Sequence, residues 1–95
     1  MIIGVLRVSL LLPSRTLKEK RTIVRSLIER LRNRFNASVA EIDALDDPAS
    51  ASIGIVCLSN DATHAGSQLQ TILRAIEESR LDAELAGVET ELIPL

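Results

Sequence analysis

Aromatic side chains are nearly absent from this chain. Phe35 is the only one, and there is no Trp or Tyr in 95 residues. Any core must therefore be aliphatic, and hydrophobic residues at 46% supply it. No strand offers an aromatic platform for stacking nucleic-acid bases, which excludes that mode of RNA recognition. Cysteine is equally scarce. Cys57 stands alone, so an intramolecular disulfide and a multi-cysteine metal site are both excluded, and a reducing compartment fits. With a single histidine besides, His64, no metal or cofactor is expected. The apolar opening MIIGVLRVSLLL is interrupted by Arg7 and Ser9. It lacks a basic n-region and falls short of the roughly 20 residues that span a bilayer. The expectation is a cytoplasmic protein with no membrane role, folded as one domain over residues 1–95 without repeats, linkers or low-complexity tracts.

Charge is abundant but segregated. The net value is only −2. Residues 1–34 carry nine bases against two acids, while residues 35–95 carry two bases against eleven acids. Such a split points to a charged interaction surface.

Residues 2–12 read as a nearly continuous apolar strand, central in its sheet. Pro13-Ser14 breaks it. Thr16 and Glu19 form the T-x-x-E capping box of a helix, whose apolar positions Leu17, Val24, Leu27, Ile28, Leu31 and Phe35 follow helical spacing. The helix ends near Arg34, with Asn36 close to its C-cap. Residues 37–45 read as a second strand, its carboxylates suggesting an edge, and Asp46-Asp47-Pro48 as a turn. A third strand over 51–58 leads through Ser59-Asn60-Asp61 into a second helix, with Ala62, Ala65, Leu69, Ile72, Leu73 and Ile76 on one face. Residues 83–93 form a fourth strand. The order β-α-β-β-α-β with right-handed crossovers predicts a ferredoxin-like α+β sandwich. Its four-stranded antiparallel sheet carries two helices on one face, with strands one and three in the centre.

That architecture leaves one sheet face bare. On strand one, Ile2, Gly4, Leu6, Val8, Leu10 and Leu12 share a face, and Ile3, Val5, Arg7, Ser9 and Leu11 share the other. The mixed set is expected on the bare side. Ile3, Val5 and Leu11 there suit contact with a second copy, and scattered exposed apolar residues are the bland alternative.

Eight of the eleven bases lie within residues 15–34. On a wheel of 100° per residue, Lys18, Arg21, Arg25 and Arg32 fall in a stripe about 60° wide beside the apolar face, with Arg30 and Arg34 at the other margin. Helix propensity does not require this, and cations in the first turn oppose the helix dipole. Arg15, Lys18, Lys20, Arg21, Arg25 and Arg32 therefore read as a phosphate-binding surface. Arginine suits it by forking onto phosphate oxygens, and free N–H groups at the helix start favour anions too. The competing reading is a solvated face whose bases pair with acids at 41–47 or 82–91.

Asn60, Asp61 and His64 cluster where strand three enters the second helix and form a possible secondary site, near Cys57. Helix capping by Asp61 is the simpler account. A phosphate-ester or acyl-phosphate enzyme would need Arg15, Asn60 and His64 together. The glycine loop that acylphosphatases of this topology place after strand one is missing from LLLPSRTLKEKR. No enzymatic activity is expected.

The segments TLKEKRTIVRSLIERLRNRFNASVAE and VCLSNDATH resemble the YlxP-like family, a bacterial domain family of unknown function. The resemblance covers essentially the whole chain and is most specific at L-K-E-K-R, R-L-R-x-R-F-N and S-N-D-x-x-H. It implies a ferredoxin-like fold. It also implies a gene position near translation initiation factor two and ribosome-binding factor A, hence RNA or a ribosomal particle as partner. It brings no catalytic residue. The alternative is a self-associating protein-interaction module, with a homodimer as its simplest form.

Overall fold

The computed structural model describes residues 1–79 and 82–95. The elements run β1 (Ile2–Leu11), α1 (Leu17–Arg34), β2 (Ser38–Asp43), β3 (Ser50–Ser59), α2 (Ala62–Glu77) and β4 (Glu84–Pro94). The strands form one sheet in the order β2-β3-β1-β4, every neighbouring pair antiparallel. This is the ferredoxin-like α+β fold, with the first and third strands central as their apolar content dictates. In register, Ile2 stands opposite Ser59 and Leu11 opposite Ser50. The start of α1 and the start of α2 therefore lie at opposite ends of the sheet.

Both helices lie on the same sheet face because one set of alternating strand residues is apolar throughout. Leu6, Val8 and Leu10 of β1 and Ile53 and Ile55 of β3 are buried in one cluster with Val24, Leu27 and Leu31 of α1 and Leu69, Ile72 and Ile76 of α2. Each such side chain contributes about 1.5–3 kcal/mol on removal from water. Gly4 belongs to this inward set for a steric reason. A Cβ there would stand 2.8 Å from Cys57 Sγ and 3.4 Å from the methyls of Leu69, so α2 comes close only because the side chain is missing. Cys57 itself is buried, which pushes its thiol pKa up and makes it a small hydrophobe rather than a nucleophile.

Helix ends follow the sequence. Thr16 Oγ1 accepts from the Glu19 amide at 3.2 Å, and Asp61 Oδ2 accepts from the His64 amide at 3.2 Å. The C-cap of α1 is Phe35, one residue before the expected Asn36. The second strand stops at Asp43, two residues short of the expected 45, because Ala44 takes a left-handed φ of 58°. A non-glycine residue is held there only by its surroundings, and those surroundings define the first feature of the site.

Candidate functional site

Lys20 is the largest fully buried side chain of the described residues. Its Nζ lies 3.0 Å from Glu41 Oε2 on β2 and donates to the carbonyls of Ala44 at 2.5 Å and Asp47 at 2.7 Å. The two carbonyls take hydrogen bonds from the ammonium, while Glu41 Oε2, buried without a hydrogen-bond partner among the described residues, is held beside it by charge. This corrects the expectation that Lys20 belongs to a phosphate-binding surface. The signal was in the spacing. Lys20 lies four, seven and eleven residues before Val24, Leu27 and Leu31, so it falls inside the apolar stripe.

The hairpin loop that Lys20 holds is tied from other sides as well. Ser14 Oγ donates to the Pro48 carbonyl at 2.6 Å, and the Leu12 amide donates to Ala49. The Asp47 carboxylate accepts from the Ala49 amide at 2.9 Å and the Ser50 hydroxyl at 2.7 Å. These two donors, with a smaller effect of Lys20, hold its pKa below the usual carboxylate value. A depressed folded-state pKa stabilises above the ordinary carboxylate range, and that contribution disappears as pH falls through it. The carboxylates of 41–47 expected to neutralise the outer bases are thus partly engaged elsewhere. Glu41 is taken by Lys20, and Asp43 pairs with Arg7 at 3.3 Å.

The rest of the stripe is on the surface. Arg15, Lys18, Arg21, Arg25 and Arg32 are exposed. Among the described residues, none of the five has a carboxylate within 4.0 Å of its charged group; the two ion pairs belong to Arg7 and Lys20. Arg32 is partly committed, donating to the Val39 carbonyl on edge strand β2 at 2.6 Å. Between α1 and β2 runs a groove of about 450 Å³ lined by Arg21, Arg25 and Arg32, by the carboxylates Glu29 and Glu41, and by the apolar Val24 and Ile28.

The Asn60-Asp61-His64 junction resolves into a cap. Asp61 caps α2 as described, and Ser59 Oγ accepts from the Asp61 amide at 3.1 Å. Asn60 and His64 are exposed, whereas Cys57 is buried beside Gly4. Arg15 lies beyond the Leu11 end of β1 and Asn60 beyond the Ser59 end of β3. The antiparallel register separates these ends by the length of the sheet, roughly 30 Å at 3.3 Å per residue. The trio Arg15, Asn60 and His64 is not assembled.

The bare sheet face is a shallow groove of about 800 Å³, with Arg32 at its β2 margin and Glu89 and Glu91 at its β4 margin. Its apolar floor centres on Val5 and Val56, which face each other across β1 and β3. Leu58, next but one along β3, is 64% exposed. Arg7 stands in the middle, opposite Glu89 in register, yet turns to Asp43 and to Ser52 Oγ at 3.3 Å. No helix among the described residues is long and apolar enough to cross a bilayer.

The Bacillus subtilis (strain 168) protein described as "Uncharacterized protein YlxP" is 34% identical over 62 residues, which is 65% of this chain and 67% of that protein. Residues 3–90 match the family described as "Protein of unknown function (DUF503)". The match takes in all of α1 and α2 and nearly all of the sheet, and the chain belongs to this DUF503 family of proteins of unknown function.

Proposed function

We propose that the outward face of α1 binds RNA, free or within a ribosomal particle, through the phosphates rather than the bases. The observation that carries this reading is the state of Arg15, Lys18, Arg21 and Arg25. All four are exposed, Arg15 just before α1 and the other three on it, with no carboxylate partner among the described residues. A fold that needed these charges for itself would have paired them, as it paired Lys20 and Arg7. Unpaired arginines beside a helix start offer forked donors to phosphate oxygens. The aliphatic sheet argues against base stacking, so binding is expected to be weak in sequence preference and strong in salt dependence. The gene neighbourhood implied by the family resemblance supports the same partner class.

Fluorescence anisotropy with a labelled single-stranded RNA, together with co-sedimentation with ribosomes and their subunits, tests the proposal. Four phosphate contacts predict a log–log salt slope of roughly −3. Arg21→Gln/Arg25→Gln should weaken binding about tenfold or more and flatten that slope by roughly 1.4. Unchanged RNA affinity in this double variant would remove α1 as the binding surface. Absence of binding at low salt to both RNA and ribosomal particles would remove the function.

A further inference from the structure

We infer that the bare sheet face is a self-complementary interface, on which a second copy of this chain stacks about a two-fold axis running along the strands. The inference is independent of the RNA reading, which rests on Arg15, Lys18, Arg21 and Arg25 and not on the sheet face.

Charge placement selects this arrangement. Across the face, the strand order β2-β3-β1-β4 puts Arg32 at one margin and Glu89 and Glu91 at the other. Neither glutamate has a basic partner within 4.0 Å among the described residues. Rotation by 180° about an in-plane axis parallel to the strands lays β4 over the β2 margin of the second copy, and β1 over its β3. The acidic margin of each copy then meets the basic margin of the other. Two-fold symmetry makes that contact twice and closes the assembly. An axis across the strands would instead stack β4 on β4 and set Glu89 and Glu91 against their own images.

The centre of the face matches. Val5 and Val56 lie on the two strands that the rotation exchanges, with Ile3 opposite Leu58 beside them. Val56 and Leu58 are 41% and 64% exposed on a central strand, where a covered face buries such side chains. Four strands of this length present about 600 Å² of projected face. The accessible area of so uneven a surface is larger, which brings it near the roughly 800 Å² per partner of a standard stable interface.

Sedimentation equilibrium of the full chain tests the interface. A dimer is expected in the micromolar range, and Val56→Lys should raise its dissociation constant at least about tenfold, a loss of roughly 1.4 kcal/mol. Leu58→Lys, at the more exposed position, guards against a folding artefact, and circular dichroism checks both variants. The axis is tested by Ser38→Cys/Glu91→Cys with a short bis-maleimide reagent. Within one copy these positions are three strands apart, while the proposed rotation brings residue 38 of one copy over residue 91 of the other. A covalent dimer from the double variant, with little from either single variant, supports the arrangement. A wild-type monomer throughout, a dimer indifferent to both lysine variants, or cross-linking dominated by 91 to 91 would overturn it.

Discussion

The two helices lie on the same sheet face and bury the same kind of stripe, yet their outer surfaces share almost nothing. α1 carries seven bases and two acids in eighteen residues. α2 carries one of each in sixteen. Burial explains the inner halves of both: Val24, Leu27 and Leu31 in one, Leu69, Ile72 and Ile76 in the other. It does not explain the outer half of α1, since α2 reaches the same core with a nearly uncharged surface. Charge on α1 has therefore split into two roles. Lys20 turns inward and fastens a loop, while Arg15, Lys18, Arg21 and Arg25 turn outward with no carboxylate partner among the described residues.

The largest effect should come from the inward charge. Lys20→Met keeps the apolar stem but leaves Glu41 without its counter-ion and two carbonyls without their donor. Loss of one partner from a buried pair costs about 3 kcal/mol or more. Urea unfolding should show that loss, and Lys20→Met/Glu41→Gln should recover part of it. A loss below about 1 kcal/mol would mean that the loop holds without the ammonium, and that α1 is anchored like α2 by apolar contact alone.

A smaller effect is expected where α2 meets β1. Gly4→Ala forces a Cβ against Cys57 Sγ and should cost about 1–3 kcal/mol, the usual range for overpacking. Gly4→Ala/Cys57→Ala should regain most of it. Additive losses in that double variant would show that the glycine is needed for backbone reasons rather than for space.

The outward charges should matter least to stability. Lys18→Gln removes a cation from the positive end of the α1 dipole and should raise stability by a few tenths of a kcal/mol at low salt. Arg21→Gln should stay within about 0.5 kcal/mol of the parent. A substantial loss in either would reveal a structural use for these side chains and weaken the contrast with Lys20.

Much of the fold was legible because strand and helix periods are written in residue type. Leu6, Val8 and Leu10 alternate on β1, and Leu69, Ile72 and Ile76 recur on α2, so side, order and centre of the sheet followed. The T-x-x-E box and Asp61 placed both helix starts. The site was legible only in part. Lys20 was grouped with the surface bases because side-chain type suggests exposure, although its spacing put it among Val24, Leu27 and Leu31. The left-handed turn at Ala44 had no local signal, since alanine does not favour that conformation. Beside the local bonds of its amide to Asp43 and of its carbonyl from the Asp47 amide, it is held by a lysine twenty-four residues earlier in the chain, a contact that no short sequence window contains. The hypothetical pairing of Arg15 with Asn60 and His64 failed for a similar reason: both lie at strand ends, but antiparallel pairing makes those ends opposite ones.

The position of β1 has a consequence in time. It comes first among the elements, yet it lies between β3 and β4, which come third and last among the strands. Its hydrogen bonds join residues separated by some 40 to more than 90 positions. Contacts of such span make folding slower than in a helical domain of equal size. On a ribosome, β1 emerges before either neighbour and remains an open-edged apolar strand until Glu84–Pro94 is made. The sheet closes only when its last strand arrives, so any partner that depends on the finished sheet face meets this domain after synthesis of that strand.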